Sequence, residues 1–284
     1  MENSVMETDS LFTPTGSAFA LPRDLNLGDF FFKYGLRINP TLVTDLYSAP
    51  IVLASGSGNN TEFNPYPWFY FPLSSSPSSH PIVNNLEAVK FEYANPIDTL
   101  RNDIQKTVLL ASSPRSAIEG LPQEISLKEI TSQPDPAAFT AGEQPLAVML
   151  EGEFSSVYEN RVLPFELKNF RNKSEPTKML VVSDGDVVKN QLQRGEPLEL
   201  GFDRFTGTTY GNKEFLMNAV NYLLDDTGLI NIRSKEVKIA FLNLEKVEEN
   251  RSFWQVMNLV LPLILLGVFA VIFGIYRKRK YIRK

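Results

Sequence analysis

Two aspartates in the tetrapeptide SDGD, Asp184 and Asp186, are the pair best placed for chemistry. They follow the apolar run KMLVV, which reads as a buried strand. Ligands of open α/β sheets gather at the carboxyl ends of strands, where two carboxylates are able to hold a cation or act as acid and base. The plainer assignment gives Asp186 to the cap of the next helix and Gly185 to a tight turn. His80 is the only histidine, and the chain has no cysteine. One histidine suffices for a Ser-His-Asp arrangement, but His80 stands in SSSPSSHPIV with no nucleophile elbow nearby. Thiol catalysis, iron–sulfur and cysteine–zinc centres are excluded, and so is a histidine-rich metal site. Gly207 and Gly211 in FTGTTYGNKEF precede a helical pattern without the spacing or the Lys-Ser/Thr pair of a phosphate loop. The aromatic run FNPYPWFYFPL, with Trp68 and Tyr70 in it, is a candidate ligand or partner platform. Its alternative is a loop pinned to the core by its rings. No cofactor is expected.

The elements that must position these residues are short. LNLGDFFFKYGLRI, from Leu25 to Ile38, predicts a helix closed near Gly35. Five prolines between Pro65 and Pro81 argue against a long helix or a central strand in that region. KTVLLASS from Lys106, PLAVMLEGEF from Pro145, KMLVVSDGD from Lys178 and EVKIAFLNL from Glu236 read as strands. NKEFLMNAVNYLLDD from Asn212 is a helix by the spacing of its apolar residues, with Gly228 as its stop. The stretch Arg115 to Gly142 reads as an excursion between strands. Apolar strands interleaved with amphipathic helices predict an α/β fold with a largely parallel sheet.

The chain ends differently. Ser252 to Tyr276 runs for twenty-five residues without a charge. A bilayer core of roughly 30 Å needs about 20 apolar residues in a helix rising about 1.5 Å per residue. Trp254 and Tyr276 stand where an aromatic belt sits, and the tail RKRKYIRK opens with Arg277, Lys278, Arg279 and Lys280. This predicts a transmembrane helix over 252–276 and a basic cytoplasmic tail over 277–284 that contacts anionic headgroups of the inner membrane. The preceding flank, Glu245 to Arg251, is acidic on balance, so the large domain belongs outside the cytoplasm. The N-terminus MENSVMETDSLF carries no signal peptide, so the sequence predicts a chain without its natural beginning; a tail-anchored cytoplasmic scaffold is the alternative. Formal net charge is −5, and since the tail holds six basic residues the remainder carries −11. An acidic domain of this kind excludes nucleic acid as a partner.

Several stretches together carry a resemblance. They are LPRDLNLGDFFFKYGLRINP, YPWFYFPL with SHPIVNNLEAV, LAVMLEGEFSSVYENR, VSDGDVVKNQ and GFDRFTGTTYGNKEFLMNAVNYLLDDTGLINIRSKEVKIAFL, with RSFWQ at the membrane entry. The chain resembles the C-terminal half of the gliding-motility-associated ABC transporter auxiliary component, GldG, of the Bacteroidota. The resemblance implies a non-catalytic membrane subunit beside an ABC permease and a separate ATPase. It also implies a periplasmic α/β region of flavodoxin-like or glutamine-amidotransferase-like type, here without its N-terminal part. The domain plan that follows is an extracytoplasmic domain over 1–232, a strand and juxtamembrane linker over 233–251, then the span and the tail. A membrane-anchored hydrolase using Asp184, Asp186 or His80 is the competing function.

Overall fold

The computed structural model of the chain describes residues 2–56, 61–131, 134–160, 170–225 and 251–282, in two units, Met1–Lys235 and Glu236–Lys284. The first unit begins with β1 (Ser4–Val5), β2 (Ser17–Pro22), the short helix α1 (Gly28–Lys33), β3 (Leu36–Ile38), β4 (Thr41–Asp45) and β5 (Ser48–Ser55). It continues through β6 (Glu62–Ser74), β7 (Val89–Lys90), β8 (Ile97–Thr99), β9 (Gln105–Ala111), β10 (Ser116–Gly120), β11 (Gln123–Ser126), β12 (Pro145–Gly152) and β13 (Thr177–Val182). Two small hairpins, β14 (Leu192–Gln193) with β15 (Glu196–Pro197) and β16 (Phe202–Asp203) with β17 (Thr208–Thr209), lead into helix α2 (Asn212–Leu224).

Every strand pair among the described residues is antiparallel, and the strands form several small sheets. This overturns the largely parallel, flavodoxin-like expectation. Strands β9, β12 and β13 were legible; their direction was not. In the sheet β13–β12–β9, Val148 and Leu150 of β12 join one core with Val181 of β13 and Phe31, Leu36 and Ile97. Ala147 and Met149, which alternate with them, join another core with Leu109, Phe91, Phe215 and Ala219. A strand buried on both faces reads as a continuous apolar run whether its neighbours run with it or against it. A register shift between Pro145 and Val148 places both Leu146 and Ala147 in the same core.

The proline-rich region corrects a second expectation. Residues 62–74 form β6, thirteen residues long, lying between β5 and β7. Pro65 and Pro67 sit opposite Val52 and Pro50 at alternate positions, so their missing donors fall on one edge of the strand. β7 pairs only with Leu73 and Ser74, so most of β6 needs no second ladder. The rings of β6 make a core with Ile51, Tyr93 and Ile125; Trp68 is 1 % exposed and Tyr70 2 %.

The helices are close to expectation. α1 is shorter than the predicted segment and ends where Gly35 takes φ +78, a left-handed turn that favours glycine. α2 buries Phe215 and Ala219, four residues apart on one face. The excursion 115–142 holds β10, which pairs with β4, and β11, which pairs with β2. The expected strand at 236–244 and the stop at Gly228 lie outside the described residues. Among the described residues of the second unit, helix α3 (Arg251–Ile282) carries exposed apolar side chains along its length, and the stretch Gln255–Ile282 is long and apolar enough to cross a membrane.

Candidate functional site

The SDGD turn is built from the end of β13 outward. Ser183 is fully buried, and both its amide and its hydroxyl donate to the carbonyl of Leu146, at 2.9 and 3.1 Å. The chain then turns into a 3-10 segment, Asp186–Val188. Asp184, 2 % exposed, accepts from the amides of Glu92 and Asp186, both at 2.7 Å. The N-cap position of this segment is Gly185, and it is Asp184, one residue earlier, whose oxygen takes the first amide of the turn, where the sequence assigned a cap to Asp186. Glu2 reaches the same turn, its Oε1 accepting from the amide of Gly185 at 2.6 Å. Carboxylate oxygens of Glu2, Asp184 and Asp186 lie within 4.8 Å of one another.

Such crowding decides the electrostatics. Burial pushes the carboxyl of Asp184 well above the ordinary carboxylate range, and the charge of Asp186 adds to the effect. Burial pushes Asp186 up to about 6, against the hydrogen bond from Lys189. Lys189 also pairs with Glu7 at 3.1 Å and with Asp186 at 2.9 Å. Beside this turn is a cavity of about 40 Å³ lined by Lys90, Glu92, Asp186, Lys189, Asp203 and Tyr210, among others. Lys90 contacts Glu92 at 2.8 Å and Asp203 at 3.7 Å, with its ammonium 4.5 Å above the ring of Phe71. A space of this size, lined by charged and polar side chains, suits water or another small polar occupant. All three carboxylates are hard oxygen ligands of the kind that hold calcium or magnesium. Both oxygens of Asp184 are already directed at backbone amides, however, and that contact explains its burial.

The other predicted residues lie elsewhere. His80 packs edge-on against Tyr222, ring centroids 4.5 Å apart, and its Nδ1 accepts from the amide of Ile82 at 3.3 Å. Its charged neighbours are Glu151 and Lys178, whereas those of Asp184 are Asp186 and Glu2. His80 is thus not joined to the Asp184–Asp186 pair. Gly207 takes φ +68 in the β16–β17 hairpin, and a Cβ on Gly211 would run into the carbonyl of Glu87. These glycines serve a turn and a close approach. At the start of α2, Asn212 accepts from the amide of Lys90 at 3.0 Å and donates to the carbonyls of Lys90 and Val187 at 2.9 and 3.2 Å. One side chain so ties α2, β7 and the SDGD segment together. Glu2, Lys90, Glu92 and Asp203 escaped the sequence reading because they join the site from far along the chain, and no local spacing marks them; Lys189, three residues after Asp186, joins it locally.

The comparisons with known proteins bear on the same segment. A family described as an ABC-type uncharacterized transport system matches residues 2–219. The chain belongs to that family. The matched region takes in the SDGD turn, the β6 core and the start of α2. No curated protein and no solved structure matches the chain. Membership in a transport-system family and an apolar C-terminal helix fit a membrane-anchored auxiliary component.

His80 also gives an expected result. Burial holds its pKa below the ordinary value, with Glu151 raising it and Lys178 lowering it. The unfolded chain therefore takes up a proton first as pH falls through about 6.5. The stability contributed by neutral His80 is present above that value and is lost below it. His80→Gln should remove this part of the acid-side loss, read as a smaller change in urea midpoint between about pH 7 and about pH 5. An unchanged acid-side slope would show that His80 is accessible to protons in the folded state.

Proposed function

We propose that the chain is a non-catalytic auxiliary subunit of an ABC transport system linked to gliding motility. Residues 1–232 form its periplasmic domain, 233–251 its linker, 252–276 its span and 277–284 its cytoplasmic tail. The observation that carries this reading is the order of features along the chain. A region matched to a transport family precedes an apolar helix whose end turns basic. Lys and Arg beside a span favour the cytoplasmic side, which supports an inner-membrane orientation with the domain outside. The stretches quoted above support the gliding-motility branch of the family. In this reading an ABC permease and a separate ATPase supply transport and energy. The SDGD turn, where Asp186 is partly exposed beside Lys189, faces a partner.

Topology and partnership are both measurable in native cells. Protease added to spheroplasts should digest the domain and leave a C-terminal tag protected. Purification through that tag should bring down a permease and a nucleotide-binding subunit, with ATP hydrolysis following the latter. Digestion of the tag in sealed spheroplasts overturns the orientation. Recovery of the chain without any transporter subunit, from membranes where those subunits are abundant, overturns the partnership.

A further inference from the structure

The sheet β1–β2–β11 has a covered face and a bare one. Ser4, Ala20 and Ile125 are buried on the first. Side chains alternate along a strand, so Val5, Phe19 and Leu21 share the opposite face. All three are exposed, Phe19 by 62 %, and Val5 stands directly across from Leu21 in the ladder. The amide of Arg23 donates to the carbonyl of Asn3 at 2.9 Å, which carries that ladder one step further. Asn3 lies two positions from Val5 and shares its face, and its Nδ2 donates to the carbonyl of Ile38 at 2.7 Å. Asn3 and Ile38 both line a cavity of about 260 Å³ that also takes in Leu27 and Phe32, the latter 68 % exposed. Strand face and cavity therefore form one apolar surface.

We infer that this surface docks on a lipid bilayer, inserting Val5, Phe19, Leu21 and Phe32 among acyl chains at the headgroup boundary. The inference rests on the membrane-anchored reading above. With Leu27, these side chains expose roughly 400 Å² of apolar surface, at about 150–250 Å² for each whole aromatic side chain. That matches the largest patch of an ordinary monomer, often a functional one, but is about half of the roughly 800 Å² per partner in a stable protein complex. The cavity is below the range of about 300–1,000 Å³ usual for small-molecule sites. A bilayer, by contrast, is kept within reach by the chain itself. Between Asp225 and Arg251 lie 25 residues, which span at most about 85 Å. A domain of about 225 residues has a radius of gyration of about 17 Å, so the tether lets any of its faces meet lipid at high effective concentration. Arg23 and Arg37 alternate around the surface with Asp24, Asp29 and Glu124, so no one charge dominates. Burial of apolar side chains carries the contact, and headgroup charge does not.

The chain has no cysteine, so Glu124→Cys, opposite Phe19 on the same face, takes a single environment-sensitive fluorophore. The full chain is placed one copy per nanodisc of phosphatidylcholine and phosphatidylethanolamine, which removes a second copy as occupant. The label should be quenched by lipids spin-labelled near the headgroup, as expected for a depth of about 5–10 Å. Raising salt from about 0.1 to about 1 M shortens the Debye length from about 10 to about 3 Å and should leave the quenching in place. The same label at Glu196→Cys, on the exposed β14–β15 hairpin, should stay in water. Phe19→Ser, Leu21→Ser and Phe32→Ser together, all at exposed positions, should abolish quenching of the first label. That triple variant should still elute with the disc, held by α3. A first label that lipid does not quench, equal quenching of the second, loss of quenching in high salt, or quenching kept by the triple variant overturns the docking. A triple variant that leaves the disc overturns the anchor itself, and the docking with it.

Discussion

Trp68→Ala should lower the stability of the first unit by about 3–5 kcal/mol, the usual cost of removing a large buried aromatic side chain. Trp68 is 1 % exposed, its indole N–H donates to the Tyr93 hydroxyl at 3.4 Å, and its ring lies 5.3 Å from that of Tyr70. Truncation removes the ring contacts, opens a cavity and leaves Tyr93 without its indole partner. Domains are commonly stable by only about 5–15 kcal/mol, so the variant should sit near the edge of folding. Trp68→Phe keeps most of the volume and loses the N–H, so its cost should be clearly smaller. The measurement is urea unfolding of the full chain in detergent, followed by far-UV circular dichroism. A Trp68→Ala midpoint equal to that of the wild type would contradict the core assignment and return Trp68 to a surface for binding.

This position illustrates how much the sequence could yield. Composition and ring spacing pointed to Trp68 and Tyr70 as one group, and they are one group. Their role was open because proline content argued against a central strand, yet Pro65 and Pro67 fall on a single edge of β6. The α2 helix and the strands β9, β12 and β13 were legible because their apolar residues repeat over enough positions to reveal a period. Strand direction was hidden, since direction depends on which loop connects which edge, and a two-face buried run carries no trace of that. The site suffered in the same way. Asp184 and Asp186 could be singled out, but the partners that set their charge are contributed by Glu2, Glu92 and Lys189. The amide that Glu2 accepts from belongs to a residue 183 positions away, a separation no spacing rule covers.

Asp184→Ala is expected to destabilise the chain more at acid pH than at neutral pH. Two opposing effects set the result. The substitution leaves the amides of Glu92 and Asp186 without their acceptor at a buried position, at about 1–3 kcal/mol for each unsatisfied group. It also removes a carboxyl that burial and the charge of Asp186 make costly to ionise. The folded-state pKa of Asp184 lies above its unfolded value, so the folded chain holds a proton that the unfolded chain has lost. The wild-type contribution from this group is therefore full below the unfolded value of about 3.9 and declines as pH rises through the folded one. Asp186, pushed up to about 6, declines over an overlapping interval. The alanine variant loses the same two hydrogen-bond acceptors at every pH, but avoids the ionisation cost only at the higher values. Its deficit relative to the wild type should accordingly shrink between about pH 5 and about pH 8, and urea midpoints at those two values measure it. Asp184→Asn keeps one acceptor, so its deficit should be smaller at pH near 5 and follow the same trend. A deficit that grows with pH would mean the folded state favours the ionised carboxylate. A cation seated among Glu2, Asp184 and Asp186 would produce that sign, and amide anchoring alone would not.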